Sequence, residues 1–276
     1  MNFTNIVFSG GAIKGMAYIG VLKYFEENDL VKNIKQLTGT SIGGFFAFLI
    51  CLGYKSKDLT DIIRYLDFNN LRDISSDSIL NFFETWGIDT GNKFIHFIKA
   101  LVKSKGFSEE INFQQLYDIT KLKLTITGTC VNDQETIYYN YENSPEMLIL
   151  DALRISCSIP ILYQCVKQNE KVYVDGFILN NYPIEFFDNE IDKTIGFCIY
   201  QERKKSIENA EEYIFALINC MLNKIQKMSS NKYKKQTIVI ETNISGLNFD
   251  LTQEDKETLI NDGYRACVDY FSNFIE

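Results

Sequence analysis

Three short segments of the chain hold residues whose types and spacing can do chemistry. The first is Gly39-Thr40-Ser41-Ile42-Gly43, a G-x-S-x-G turn between a strand pattern and a strongly apolar helix pattern. Such a turn holds a serine oxygen away from the backbone, and its flanking glycines let strand and helix pack closely around it. The helix start also brings amide N–H groups and the positive end of its dipole to the serine. Taken alone, the same residues describe an N-cap serine in a glycine-rich turn. The second segment is Gly10-Gly11-Ala12-Ile13-Lys14-Gly15, again between a strand and a helix. Successive amides there converge on a small space that suits an anion. Gly15 is followed by Met16, which does not make a nucleotide phosphate loop, and Ala12 stands where a dinucleotide loop has its middle glycine. A dinucleotide-binding enzyme stays an alternative; the favoured reading is a set of donors for the negative oxygen of a tetrahedral intermediate, because the serine turn ends the next strand. The third segment, Tyr173-Val174-Asp175-Gly176, is a strand pattern running into an Asp-Gly turn, common by itself.

A serine nucleophile needs a base. The chain has a single histidine, His96, inside the apolar helical run Phe94-Ile95-His96-Phe97-Ile98. An α/β-hydrolase orders its triad serine, acid, histidine. Here His96 precedes Asp175 and no histidine follows it. The serine also arrives after only two strand patterns, early for that fold. His96 therefore reads as a packed or surface side chain, and Asp175 is left as the candidate base.

The elements that must position these residues are legible from periodicity. Strand patterns fall at 6–8, 34–37, 122–130, 136–141, 171–174, 194–200 and 237–241; helical patterns fall at 14–27, after Ser41, at 58–66, 93–102, 208–228 and 252–274. Ser144-Pro145 predicts a helix over 144–156 with the proline at its first position. The opening order, strand, glycine turn, helix, strand, serine turn, helix, predicts an α/β fold. Its form would be a three-layer sandwich with a mainly parallel central sheet flanked by helices. A single domain over 1–276 is the simplest organisation. It divides into a motif-bearing core over about 5–200, a helical insertion at about 56–120, and a C-terminal strand and helices over 201–276.

Length and composition narrow the class. The 276 residues are 46% hydrophobic, enough for a sizeable core, and carry a net charge of −8, which disfavours nucleic acid as a partner. Lys224, Lys227, Lys232, Lys234 and Lys235 form a local basic cluster, read as a solvated face. The seven cysteines have no C-x-x-C spacing, so no metal is expected. With no signal-peptide pattern at the N-terminus, they predict a reducing, cytoplasmic location. The longest apolar stretch, 42–54, is too short to span a bilayer and reads as a buried helix. Ile214, Leu217, Ile218, Met221, Ile225 and Met228 form a stripe that would dock on the sheet or touch lipid. Phe45-Phe46 and Phe82-Phe83 read as core or as walls of an apolar channel.

Taken together, the glycine loop with Lys14, the serine turn some thirty residues on, and the Asp-Gly before Asn180-Asn181-Tyr182-Pro183 resemble the patatin-like phospholipase family. The flanks Phe8-Ser9-Gly10-Gly11, Gly20-Val21-Leu22 and Ser156-Cys157-Ser158-Ile159-Pro160 match as well. The resemblance covers residues 5–183 in motif order. It implies a Ser41–Asp175 dyad without histidine, and an oxyanion hole from the amides of Gly10, Gly11 and Ala12. Lys14, Gly15, Gly39, Gly43 and Gly176 would be supporting residues. It also implies hydrolysis of fatty-acyl esters of phospholipids or lysophospholipids with no cofactor, transient contact with a membrane surface, and a peripheral membrane location at times. Whether an activating protein partner exists is left open. The chain departs from the family pattern at Phe177, where a glycine or alanine is usual, and at Ala12, where a third glycine is common. An inactive lipid- or protein-binding relative and an acyltransferase using the same dyad are the alternatives.

Overall fold

A computed structural model describes residues 3–200, 207–208, 210–246 and 248–273. The elements are β1 (Asn5–Phe8), α1 (Ala17–Glu27), β2 (Gln36–Thr40), α2 (Ile42–Cys51), α3 (Ser56–Tyr65), α4 (Ser76–Leu80), α5 (Phe82–Thr85), β3 (Gly87–Asp89), α6 (Asn92–Ser104), α7 (Phe113–Thr120), β4 (Lys123–Cys130), β5 (Glu135–Tyr139), α8 (Ile149–Ser156), β6 (Ile161–Tyr163), β7 (Val166–Gln168), β8 (Lys171–Asp175), α9 (Phe177–Asn180), β9 (Thr194–Ile199), α10 (Ala210–Lys232), β10 (Thr237–Ile240) and α11 (Gln253–Ser272). The main sheet runs β10-β9-β1-β2-β4-β8-β7, with β5 also paired to β4; β3 and β6 make a separate two-stranded sheet. From β10 to β4 every pairing is parallel, whereas β5 and β8 lie antiparallel to β4 and β7 lies antiparallel to β8. The fold is thus α/β with a mixed sheet.

Alternation along β1 explains the layers. Ile6 and Phe8 enter the larger core with α1, α2 and α11, while Val7 faces the other way, toward Tyr182, Ile184, Phe187 and Tyr233. α2 is the apolar run of the sequence, with Phe45, Phe46, Ala47, Phe48 and Leu49 all buried. That is what a helix packed against a sheet on one side and other helices on the other requires. Among the described residues, no helix is long and apolar enough to cross a membrane.

α1 and α11 touch backbone to backbone. A Cβ at Gly263 would overlap the Ala17 carbonyl, and one at Gly20 would overlap the Ile260 carbonyl. Because neither contact can yield by moving a side chain, Gly263→Ala is expected to lower stability by about 2–3 kcal/mol, read by chemical denaturation.

One predicted helix is shorter than expected. α8 begins at Ile149, not at 144, and Pro145 is not its first residue. Residues 144–147 instead meet the start of α7, where Gln114 N–H donates to the Pro145 carbonyl (3.0 Å) and Phe113 N–H to that of Met147 (3.3 Å). Capping the neighbouring helix satisfies donors that would otherwise be orphaned.

Candidate active site

Ser41 is the only residue between β2 and α2, and it takes φ 55°, ψ −126°. For a residue with a Cβ this backbone costs on the order of 1–3 kcal/mol and survives only where its surroundings dictate it. Gly39 and Gly43 dictate it here. A Cβ on Gly43 would overlap the carbonyls of Phe8 and Ser9, and one on Gly39 would overlap Gly43 itself. The serine is 5% exposed; its N–H donates to Ser156 Oγ (2.8 Å), and its Oγ donates to Asp175 Oδ2 (2.6 Å).

Sheet register makes that last contact. Thr40 pairs with Thr127 on β4, and the next residue of β4, Gly128, pairs with Asp175 on the antiparallel β8. The end of β8 therefore lies level with the end of β2, one strand apart. Thr40 Oγ1 and Thr127 Oγ1 are joined at 2.6 Å beneath the pair. Asp175 is fully buried, and its Oδ1 accepts the Phe177 N–H (2.9 Å). Burial pushes its carboxyl up to about 7, outweighing the two hydrogen bonds, from Ser41 and Phe177, that favour the charged form.

The glycine loop lies against the serine: a Cβ built on Gly10 would stand 3.5 Å from that of Ser41. Gly10 N–H, however, donates to the Asn181 carbonyl (2.9 Å) and has no free direction. This corrects the three-amide expectation. Among the described residues, the N–H groups of Gly11 and Ala12 meet no acceptor. Ala12 does open a helical turn, but at φ 48°, so its methyl sits in the left-handed region. Lys14 is fully buried and donates from Nζ to the Tyr200 carbonyl (3.2 Å), tying the loop to the end of β9. Gly15 packs under Ile42, and Gly176 leads into α9 with an ordinary helical backbone. Phe177 starts α9 without a positive φ and does not line the cavity described below, so it neither strains the site nor walls it.

Two further residues of the site have no role in the reading of the sequence. Gln226, in the middle of α10, is 2% exposed; its Oε1 accepts Asn181 Nδ2 (2.8 Å) and its Nε2 donates to the Ile199 carbonyl (2.8 Å). Asn181 Nδ2 also points at the Gly10 carbonyl (3.4 Å). Cys157, at the end of α8, shares the cavity wall with Ser41, and its thiol is raised mainly by burial.

Among the remaining readings, the exposed residues of the α10 stripe go against docking on the sheet, whereas His96, Phe45 and Phe46 lie as read. α10 docks through Gln226 and Ser230, while Leu217, Ile225 and Met228 of the apolar stripe are exposed; the side chains of Ile214, Ile218 and Met221 lie outside the described residues. The inward position is filled by an amide because carbonyls and Asn181 there need a partner. His96 is on the exposed side of α6, its Nδ1 2.8 Å from the Asn92 carbonyl, with no part in the site. Phe45 and Phe46 line the cavity, whereas Phe82 does not and Phe83 points to solvent.

That cavity, about 130 Å³, runs from Ser41 between α2, α3 and α6. Phe45, Leu49, Phe94, Phe97 and Leu162 are typical of its wall; among the described residues, Ser41, Cys157 and Tyr163 are the members of the wall with a hydroxyl or thiol.

Fold and site together define an α/β protein with a serine elbow, a carboxylate partner and an apolar cavity beside them. The patatin-like phospholipase model matches residues 6–188, and the chain belongs to that family. It is 30% identical over 276 residues to the uncharacterized protein R571 of Acanthamoeba polyphaga mimivirus, covering 95% of this chain and 91% of that one. It is 26% identical over 266 residues to the probable lipid hydrolase 463L of Invertebrate iridescent virus 6, covering 95% and 86%. With triacylglycerol lipase 4 of Saccharomyces cerevisiae it shares 26% identity over 211 residues, 66% of this chain but 22% of the lipase. Among solved structures, VipD from Legionella pneumophila superposes with a TM-score of 0.67 at 17% identity, over 99% of this chain and 67% of VipD. The type III effector ExoU superposes with a TM-score of 0.58 at 16% identity, over 99% of this chain and 53% of ExoU. The family implies a lipid substrate.

Proposed function

We propose that the protein is a lipid acyl hydrolase of the phospholipase A or lysophospholipase type that cleaves fatty-acyl esters through Ser41 and Asp175. The observation that carries this reading is the 2.6 Å hydrogen bond from Ser41 Oγ to a buried carboxylate, at the wall of an apolar cavity. Ser41 Oγ attacks the ester carbonyl while its proton passes to Asp175. The N–H groups of Gly11 and Ala12 take the developing oxyanion. Collapse breaks the bond to the alcohol, which leaves with the proton held by Asp175. Water then gives a proton to Asp175 and attacks the acyl-serine; the fatty acid departs and the proton returns to Ser41 Oγ. These steps use side chains and amides of the chain alone.

The test is fatty-acid release in the presence of a chelator from phosphatidylcholine, lysophosphatidylcholine and triacylglycerol, with an alkyl fluorophosphonate to trap the nucleophile. Release with the label on Ser41 supports the reading; a label elsewhere, or no release from any of the three, sinks it. Adding an alcohol acceptor separates hydrolysis from acyl transfer.

Gln226 fixes Asn181, and Asn181 fixes Gly10 on both its N–H and its carbonyl. Gln226→Leu is therefore expected to lower kcat about tenfold, with KM little changed, because small misplacements of a donor weaken only the transition state. Steady-state kinetics on a soluble ester checks it.

A further inference from the structure

Between α3 and α6 the chain projects a small tip, α4 and α5, that is built inside out. Ser78 is the buried residue of α4, held by reciprocal hydrogen bonds with Ser75. The large apolar residues point the other way: Ile79 is 57% exposed, Leu80 78%, Phe83 88% and Trp86 49%. Single exposed apolar residues need no explanation, but four within eight positions make a patch of the kind that marks an interaction site.

Both roots of the tip are walls of the cavity. Leu71, just before it, lines the cavity. Just after it, β3 pairs with β6, whose Leu162 and Tyr163 line the cavity as well. Gly87 lies so close to the Tyr163 carbonyl that no side chain fits between them. Arg154 clamps this base, donating to the carbonyls of Thr90 (2.8 Å) and Gln164 (2.9 Å). The exposed apolar tip is thus joined at both its ends to the cavity wall.

We infer that this tip, Ile79 to Trp86, is the surface by which the protein docks on an uncharged or zwitterionic lipid interface. Three observations fix the occupant. The cavity wall is almost wholly apolar, so a chain entering it from lipid stays out of water. Trp86 lies under the Lys167 ammonium (4.1 Å to the ring centroid), an aromatic paired with a long cation, the combination that suits the boundary between acyl chains and headgroups. α4 and α5 carry Asp77 and Glu84 and no basic residue, in a chain of net charge −8, which opposes an anionic surface. The inference leans on the proposed hydrolysis only through the cavity.

Trp86 is the only tryptophan of the chain, so its emission reports the tip directly. Phosphatidylcholine vesicles are expected to shift Trp86 emission to the blue and to sediment the full-length protein, with little effect of salt or of added phosphatidylglycerol. The double variant Leu80→Asp, Phe83→Asp should bind about tenfold more weakly while cleaving a water-soluble short-chain ester at the wild-type rate. Wild-type binding by the double variant overturns the inference, as does an unshifted Trp86 or binding that needs anionic lipid. So does self-association of the wild type that the double variant loses, which would make a second copy the occupant. If no ester is cleaved but the vesicle results hold, only the catalytic reading fails.

Discussion

Ser41→Ala is expected to abolish fatty-acid release, by a factor on the order of 10⁴ or more, with the fold intact. The serine Oγ donates to Asp175 and also meets the Cys157 thiol, and its backbone is dictated by Gly39 and Gly43 rather than by its side chain. Removing the oxygen thus removes the nucleophile and little else. Asp175→Asn should fall by a comparable factor, because an amide cannot take the serine proton, yet it should still bind lipid. Initial rates on vesicles, with circular dichroism as a control, decide the matter. Residual activity of Ser41→Ala above about a hundredth of wild type would sink the proposed chemistry.

The second large effect is in pH. In the proposed reaction Asp175 acts as a base only when ionised, and its carboxyl is pushed up to about 7 by burial. The value of kcat/KM should therefore climb through about pH 6–8 and level off above about pH 8. Stability should run the other way. The group is harder to ionise when folded, so between its unfolded value of 3.8 and about 7 the folded state holds more protons than the unfolded one. Stability from this group is complete below about pH 4 and is lost as pH rises through about 7, to the extent of about 4 kcal/mol. Asp175→Asn has no such titration. Denaturant midpoints at about pH 5 and pH 8 should show the variant gaining on wild type by a few kcal/mol at the higher pH. A difference that stays constant across this range would mean that the carboxyl is not held near neutrality. Catalytic competence and stability are opposed at this one residue.

Much of the site was legible before any coordinates. Ser41, Asp175 and the Gly10–Gly15 loop each mark a backbone that few residues can adopt or approach, and such demands leave short fixed patterns. The opening order of strand and helix followed from periodicity, and α2 from an unbroken apolar run; β3, β6 and β7, three residues each, are too short to show a period. The Ser144-Pro145 signal failed because a good helix start was used to cap α7 instead, a choice between two local solutions made by packing. Of the two readings of the stripe on α10, docking on the sheet fails at Leu217, Ile225 and Met228 for the converse reason, and their exposure agrees with the other reading, contact with lipid. Periodicity finds an apolar face, but Gln226 was drawn inward by carbonyls that belong to other elements.

The sequence by itself determined the chemistry on offer: a serine forced into a sharp turn, a lone histidine in the wrong place, and a carboxylate at the end of a strand. These are properties of residue type and local backbone, and each is written within a few positions of its own residue. Only the tertiary structure decided the partners. It ran β8 antiparallel beside β4, which puts Asp175 level with Ser41 across 134 positions of chain. It spent the Gly10 amide on Asn181, left those of Gly11 and Ala12 open, and turned Phe83 to solvent while Phe45 faced the cavity. Strand direction, burial and the accounting of hydrogen bonds are settled by the whole chain at once, so no local window of residues can contain them.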